Sequence, residues 1–140
     1  MADKINIEDL LNQGKRIQIS PQGTSMYPLL IQGRDQVVLE RIDGTAGRRG
    51  DVVLYRRDEG ILVLHRVFRH TEKGYWMIGD NQVDLEGPLR EEQVKGRMIA
   101  FIRRGKTHSS AEPLYILYSH LWLMLRPVRK IIRKVGLTTR

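Results

Sequence analysis

Between Arg16 and Ile102 the apolar residues come in short pieces, each closed by a turn rich in glycine or charge. Arg16 to Ser20 alternates apolar and polar strictly, as a strand with one buried face does. Gln36 to Glu40 reads as a second strand, and Gly44 to Gly50, with three glycines and two arginines, as a loop. Asp51 to Tyr55, the turn Asp58-Glu59-Gly60 and Ile61 to Phe68 form a hairpin pattern. A second hairpin turns at Glu72-Lys73-Gly74 and returns through Tyr75 to Ile78, and Val94 to Ile102 makes a last strand. Short strands at such intervals predict a mainly β domain, a barrel or coiled sheet. Ile5 to Asn12, with apolar residues at 7, 10 and 11 and Gly14 behind it, predicts a short amino-terminal helix. Leu29 to Gly33 has room for one helical turn. With 140 residues, 41% of them hydrophobic, the chain suits one core.

Chemistry enters at Gly23-Thr24-Ser25-Met26-Tyr27-Pro28, a small-residue turn that presents a hydroxyl. A serine hydroxyl is a weak nucleophile near neutral pH and needs an adjacent base, itself held by a third group. His65 lies forty residues on, inside the apolar run Leu62 to Val67, and Gly79-Asp80-Asn81 with Asp84 follows. Asp80 and Asp84 are the candidates to accept the His65 ring N–H, with Asp80 preferred. Gly-Asp-Asn is equally a good turn, in which the carboxylate bonds backbone N–H groups. No cysteine is present, and the histidines at 65, 70, 108 and 120 lack ligand-like spacing, so neither a metal nor a cofactor is expected.

Taken in order, Gly23-Thr24-Ser25-Met26-Tyr27-Pro28, Gly50-Asp51-Val52-Val53, Leu64-His65-Arg66-Val67 and Gly79-Asp80-Asn81 resemble the signal peptidase I family and its wider clan of serine peptidases. The resemblance covers about residues 8 to 104, with Val94-Lys95-Gly96-Arg97 as its closing block. It implies a β catalytic domain with Ser25 as nucleophile, and His65 where many bacterial members carry lysine, as in the endoplasmic-reticulum type. It also implies cleavage of a precursor after a small residue in an extended segment. The Ser25 backbone N–H is the expected oxyanion donor. In some relatives a hydroxyl two residues before the nucleophile is the second, but Gly23 stands there, so Thr24 or a backbone N–H is left for that role.

The charge is unevenly placed. Net charge is +8, and residues 102 to 140 carry all of the excess, nine basic residues against Glu112. That divides the chain into a catalytic β domain over 1–105 and a basic helical tail over 106–140. In the tail Leu114, Tyr118, Leu121, Leu125, Val128, Ile132 and Val135 keep one helical face apolar, and Pro127 allows two helical pieces. The apolar stretch is too short to span a bilayer, and an interfacial helix is expected instead. Leu121, Trp122 and Leu125 would meet lipid, with Arg126, Arg129, Lys130 and Arg133 towards anionic headgroups. The amino terminus lacks a long apolar run, so neither a signal peptide nor an anchor is expected there, and the basic tail favours peripheral attachment at a cytoplasmic leaflet. Nucleic acid is not an expected partner, since no recognition motif is present. The alternative to a peptidase is a non-catalytic module of the same fold that binds peptides or membranes.

Overall fold

The computed structural model describes residues 6–135. Helix α1 (Ile7–Asn12) is capped by the Asn6 side chain, which accepts the Asp9 N–H. Eight strands follow: β1 (Ile17–Ile19), β2 (Asp35–Arg41), β3 (Val52–Arg56), β4 (Leu62–Thr71), β5 (Gly74–Ile78), β6 (Glu86–Leu89), β7 (Val94–Arg103) and β8 (Lys106–Ser109). Helices α2 (Pro113–Met124) and α3 (Arg126–Lys134) complete the described residues.

All strand pairs are antiparallel, in the order β1-β2-β7-β3-β4-β5-β6, with β8 also on β7. The barrel alternative is thereby corrected: β1 and β6 end the path without pairing with each other, and the sheet stays open. Strand β3 lies near the middle and is buried on both faces, Val52 and Leu54 in one apolar cluster, Val53 and Tyr55 in another. Period-two alternation along a strand puts these pairs on opposite sides. The first cluster also takes Leu11, Met26, Leu29 and Leu30, so the core packs directly beneath the serine turn.

Strand β8 carries the sheet to Ser109, past the boundary expected at residue 105. Residues 29–33 form turns rather than a helical turn, since Gly33 has φ +87° and the Asp35 carboxylate takes the Ile31 N–H.

Candidate functional site

The strand register brings the site together. Val53 faces His65 and Tyr55 faces Val63 across the β3–β4 pair, so Tyr55 and His65 are diagonal neighbours on one face. Both are buried. The Ser25 Oγ lies 3.2 Å from His65 Nε2, and the Tyr55 hydroxyl lies 3.0 Å from His65 Nδ1. The same hydroxyl donates its only proton to Glu86 Oε1 at 2.6 Å. It is therefore an acceptor towards Nδ1, which must carry the ring proton. That tautomer leaves the Nε2 lone pair facing Ser25 Oγ, as a general base requires.

Electrostatics agree with this assignment. Burial pushes the His65 pKa down to about 4, against the opposing pull of Glu86, so the ring is neutral near pH 7. Burial alone would raise Glu86, but two bonds from Arg57, both at 2.9 Å, and the Tyr55 hydroxyl outweigh it and hold the carboxyl below its ordinary range. Burial, then the Glu86 bond, pushes the Tyr55 phenol far above its usual range. The chain of groups is thus Ser25, neutral His65, neutral Tyr55 and ionised Glu86, with Glu86 Oε1 4.0 Å from His65 Nδ1.

Two assignments from the sequence are corrected. Asp80 does not orient His65: both its oxygens are engaged by Arg66 Nε and Nη2 at 2.7 and 2.8 Å, and Tyr118 donates to Oδ2 at 2.8 Å. His65 and Arg66 are successive strand residues and leave β4 on opposite faces. Asp84 is exposed and, among the described residues, pairs only with Lys130, at 3.7 Å. Tyr55 and Glu86 are the residues that sequence reasoning missed.

Asp80 instead belongs to the loop that supports the Ser25 turn. Asn81 N–H donates to the Ser25 carbonyl at 2.9 Å, and a Cβ on Gly79 would collide with that same oxygen. Among the described residues no acceptor takes the Ser25 N–H, which leaves it available to an oxyanion. Gly23 N–H is spent on Gln32 Oε1 at 2.9 Å, and Thr24 is exposed and does not line the adjoining cavity, so neither fills the second donor role. Gln82 does line it, and since its Oε1 accepts the Gly79 N–H, its NH2 group is a side-chain donor at the site with no acceptor among the described residues.

The cavity beside Ser25 and His65 measures about 460 Å³. Ile19, Ser20 and Pro21 form one side, Leu62, Val63 and Leu64 another, with Met26, Leu30 and Leu54 in the lining. Strand β1 pairs only with β2, and β4 pairs with β5 only from Arg66 onward, so both strands carry unpaired backbone at this groove. Among the described residues no group of three His, Cys, Asp or Glu side chains is placed to hold a metal ion.

The tail packs on the site loop from behind. Trp122 Nε1 donates to the Asp80 carbonyl, Arg126 to Val83, Arg129 to Asp80 and Gln82, and Arg133 to Asn81. Arg66 also reaches the Ser119 hydroxyl at 2.6 Å. The lipid-facing role expected for Trp122, Arg126, Arg129 and Arg133 is therefore corrected: these side chains turn to the body, because loop carbonyls without other partners offer them acceptors. Leu121 and Leu125 are exposed, as is Lys130. No described helix is long and apolar enough to cross a membrane.

Compared with models of protein families, with curated proteins and with solved structures, this chain matches none.

Proposed function

We propose that the protein is a serine endopeptidase in which Ser25 attacks and His65 takes its proton, acting on an extended segment of a precursor protein or peptide. The observation that carries this reading is the Ser25 Oγ to His65 Nε2 approach of 3.2 Å, with Tyr55 dictating the base-competent tautomer. In the reaction the hydroxyl oxygen bonds to the scissile carbonyl carbon while its proton passes to Nε2. The Ser25 N–H and the Gln82 NH2 are the donors assigned to the resulting oxyanion. The imidazolium is stabilised by Glu86 acting across Tyr55, and it returns its proton to the leaving amine. Water then repeats the sequence on the acyl-enzyme.

The groove supports a peptide substrate in particular. Free backbone on β1 and β4 suits addition of an extended strand, and the apolar walls suit small aliphatic side chains. Removal of a leader or signal segment at a small residue is the form of this activity to which the sequence resemblance points, and we place it at a membrane surface, held there by the tail.

The test is cleavage of a mixed peptide library at neutral pH, read by mass spectrometry. New termini that cluster after small residues with wild type, and vanish with Ser25→Ala, are expected. A folded wild type that cuts nothing while peptides still bind in the groove favours the non-catalytic module.

A further inference from the structure

The tail leaves one face that neither the fold nor the catalytic groups use. Leu114, Leu117, Leu121, Met124, Val128 and Ile131 follow at alternating spacings of three and four, and each is between 42% and 80% exposed. At 1.5 Å per helical residue the stripe runs about 26 Å. Exposed apolar patches of that extent mark surfaces that meet something else. Helix α2 is apolar on both sides. Ser119 and Leu123 are buried against the body and Tyr118 reaches Asp80, while the stripe faces away.

Spacing alone would suit a coiled coil with a second copy as well as a lipid surface. Charge separates the two. Residues 113–140 contain six Lys and Arg and no Asp or Glu, so stripe-to-stripe pairing brings like charges together without a compensating carboxylate on the helices. The helix is also interrupted at Leu125, between α2 and α3, where a coiled coil needs an unbroken seam. An anionic bilayer supplies the missing negative charge and tolerates the break, since each half lies separately in the interface.

We infer that the α2–α3 stripe docks the protein flat on an anionic lipid bilayer, with Leu117, Leu121, Met124, Val128 and Ile131 entering the acyl boundary and the exposed Lys134 at its margin meeting headgroups. The surface is thus the side opposite the arginines. Those arginines hold the carbonyls of residues 80–83, and Asn81 holds the Ser25 carbonyl, so docking and the nucleophile turn share one loop. This last consequence rests on the peptidase reading; the docking face does not.

The test uses the full chain carrying Ser25→Ala, so that binding is read apart from catalysis. Co-sedimentation with phosphatidylglycerol–phosphatidylcholine vesicles is compared with phosphatidylcholine alone, and sedimentation velocity without lipid gives the oligomeric state. The expected result is a monomer that prefers anionic vesicles, and loss of at least about tenfold in binding with Leu117→Gln plus Met124→Gln at unchanged thermal stability. No preference for anionic vesicles would overturn the inference. So would a dimer in solution that the same two substitutions dissociate. Failure of serine acylation in wild type would sink the peptidase reading and leave the docking face untouched.

Discussion

Tyr55→Phe removes one oxygen and keeps the ring that fills the core. That oxygen makes two bonds, to His65 Nδ1 at 3.0 Å and to Glu86 Oε1 at 2.6 Å. A neutral bond is worth about 1 kcal/mol net and a charge-assisted one about 1.5–3 kcal/mol, but Glu86 keeps both bonds from Arg57, so the loss should be about 2 kcal/mol. The catalytic loss should be larger in proportion. With Nδ1 unpartnered, the ring is free to carry its proton on Nε2, where it cannot act as base, and general-base assistance is worth about 10²–10⁴-fold. We expect the rate of acylation of Ser25 at pH 7 to fall by about 10²-fold. The assay is the second-order rate constant for a serine-directed phosphonate, measured beside thermal unfolding. Tyr118→Phe is the control, since it removes another hydroxyl that donates to a carboxylate, Asp80, without touching His65. It should lose comparable stability and stay within about threefold of the wild-type rate. Equal rates for Tyr55→Phe and wild type would refute the argument, as would an equal fall in both variants.

With His65 held at about 4, the acid limb of the acylation profile should lie near pH 4, with a plateau by pH 7, measurable as rate against pH. The same shift has a stability sign: unfolded His65 takes its proton near pH 6.5, before the folded form does. Its contribution is therefore present above pH 6.5 and lost as pH falls towards 4, and denaturation of wild type against His65→Gln should show the gap closing over that window. Arg66→Met strands a buried carboxylate at Asp80 and should cost about 3–5 kcal/mol, partly restored by adding Asp80→Leu. Glu86→Gln keeps an amide oxygen for the Tyr55 proton but sets its NH2 group against the Arg57 Nε–H, so stability should fall by about 1–2 kcal/mol while acylation falls with the lost charge behind His65. Gly79→Ala sets a methyl against the Ser25 carbonyl, so both thermal stability and acylation should drop.

The central strands were legible because residues 52–55 and 61–64 are short continuous apolar runs, as a strand buried on both faces requires, and the turns at Gly60 and Gly74 close them. The edges were not. Glu86–Leu89 contains Gly87-Pro88 and does not alternate, and Lys106–Ser109 is polar, so only their neighbours β5 and β7 make them strands. Ser25 and His65 could be paired from motif order alone. Tyr55 could not, because its place beside His65 follows from the Val53–His65 register, which no local pattern states. Asp80 misled because its motif fits a catalytic acid, while the cation beside it in space is the very next residue after His65. The tail's periodicity located an apolar face without saying which way it turns. A helix apolar on both sides offers two candidates, and the arginines settled the choice by seeking loop carbonyls.

The most direct measurement is the site and pH dependence of phosphonylation in the intact protein, mapped by mass spectrometry in wild type, Ser25→Ala and His65→Ala. A Ser25–His65 catalytic pair requires a single adduct on Ser25, its rate rising through about pH 4, and near-complete loss of labelling in either variant. An adduct elsewhere, or labelling of Ser25 that His65→Ala leaves unchanged across pH, would contradict the Ser25–His65 pair as the catalytic centre.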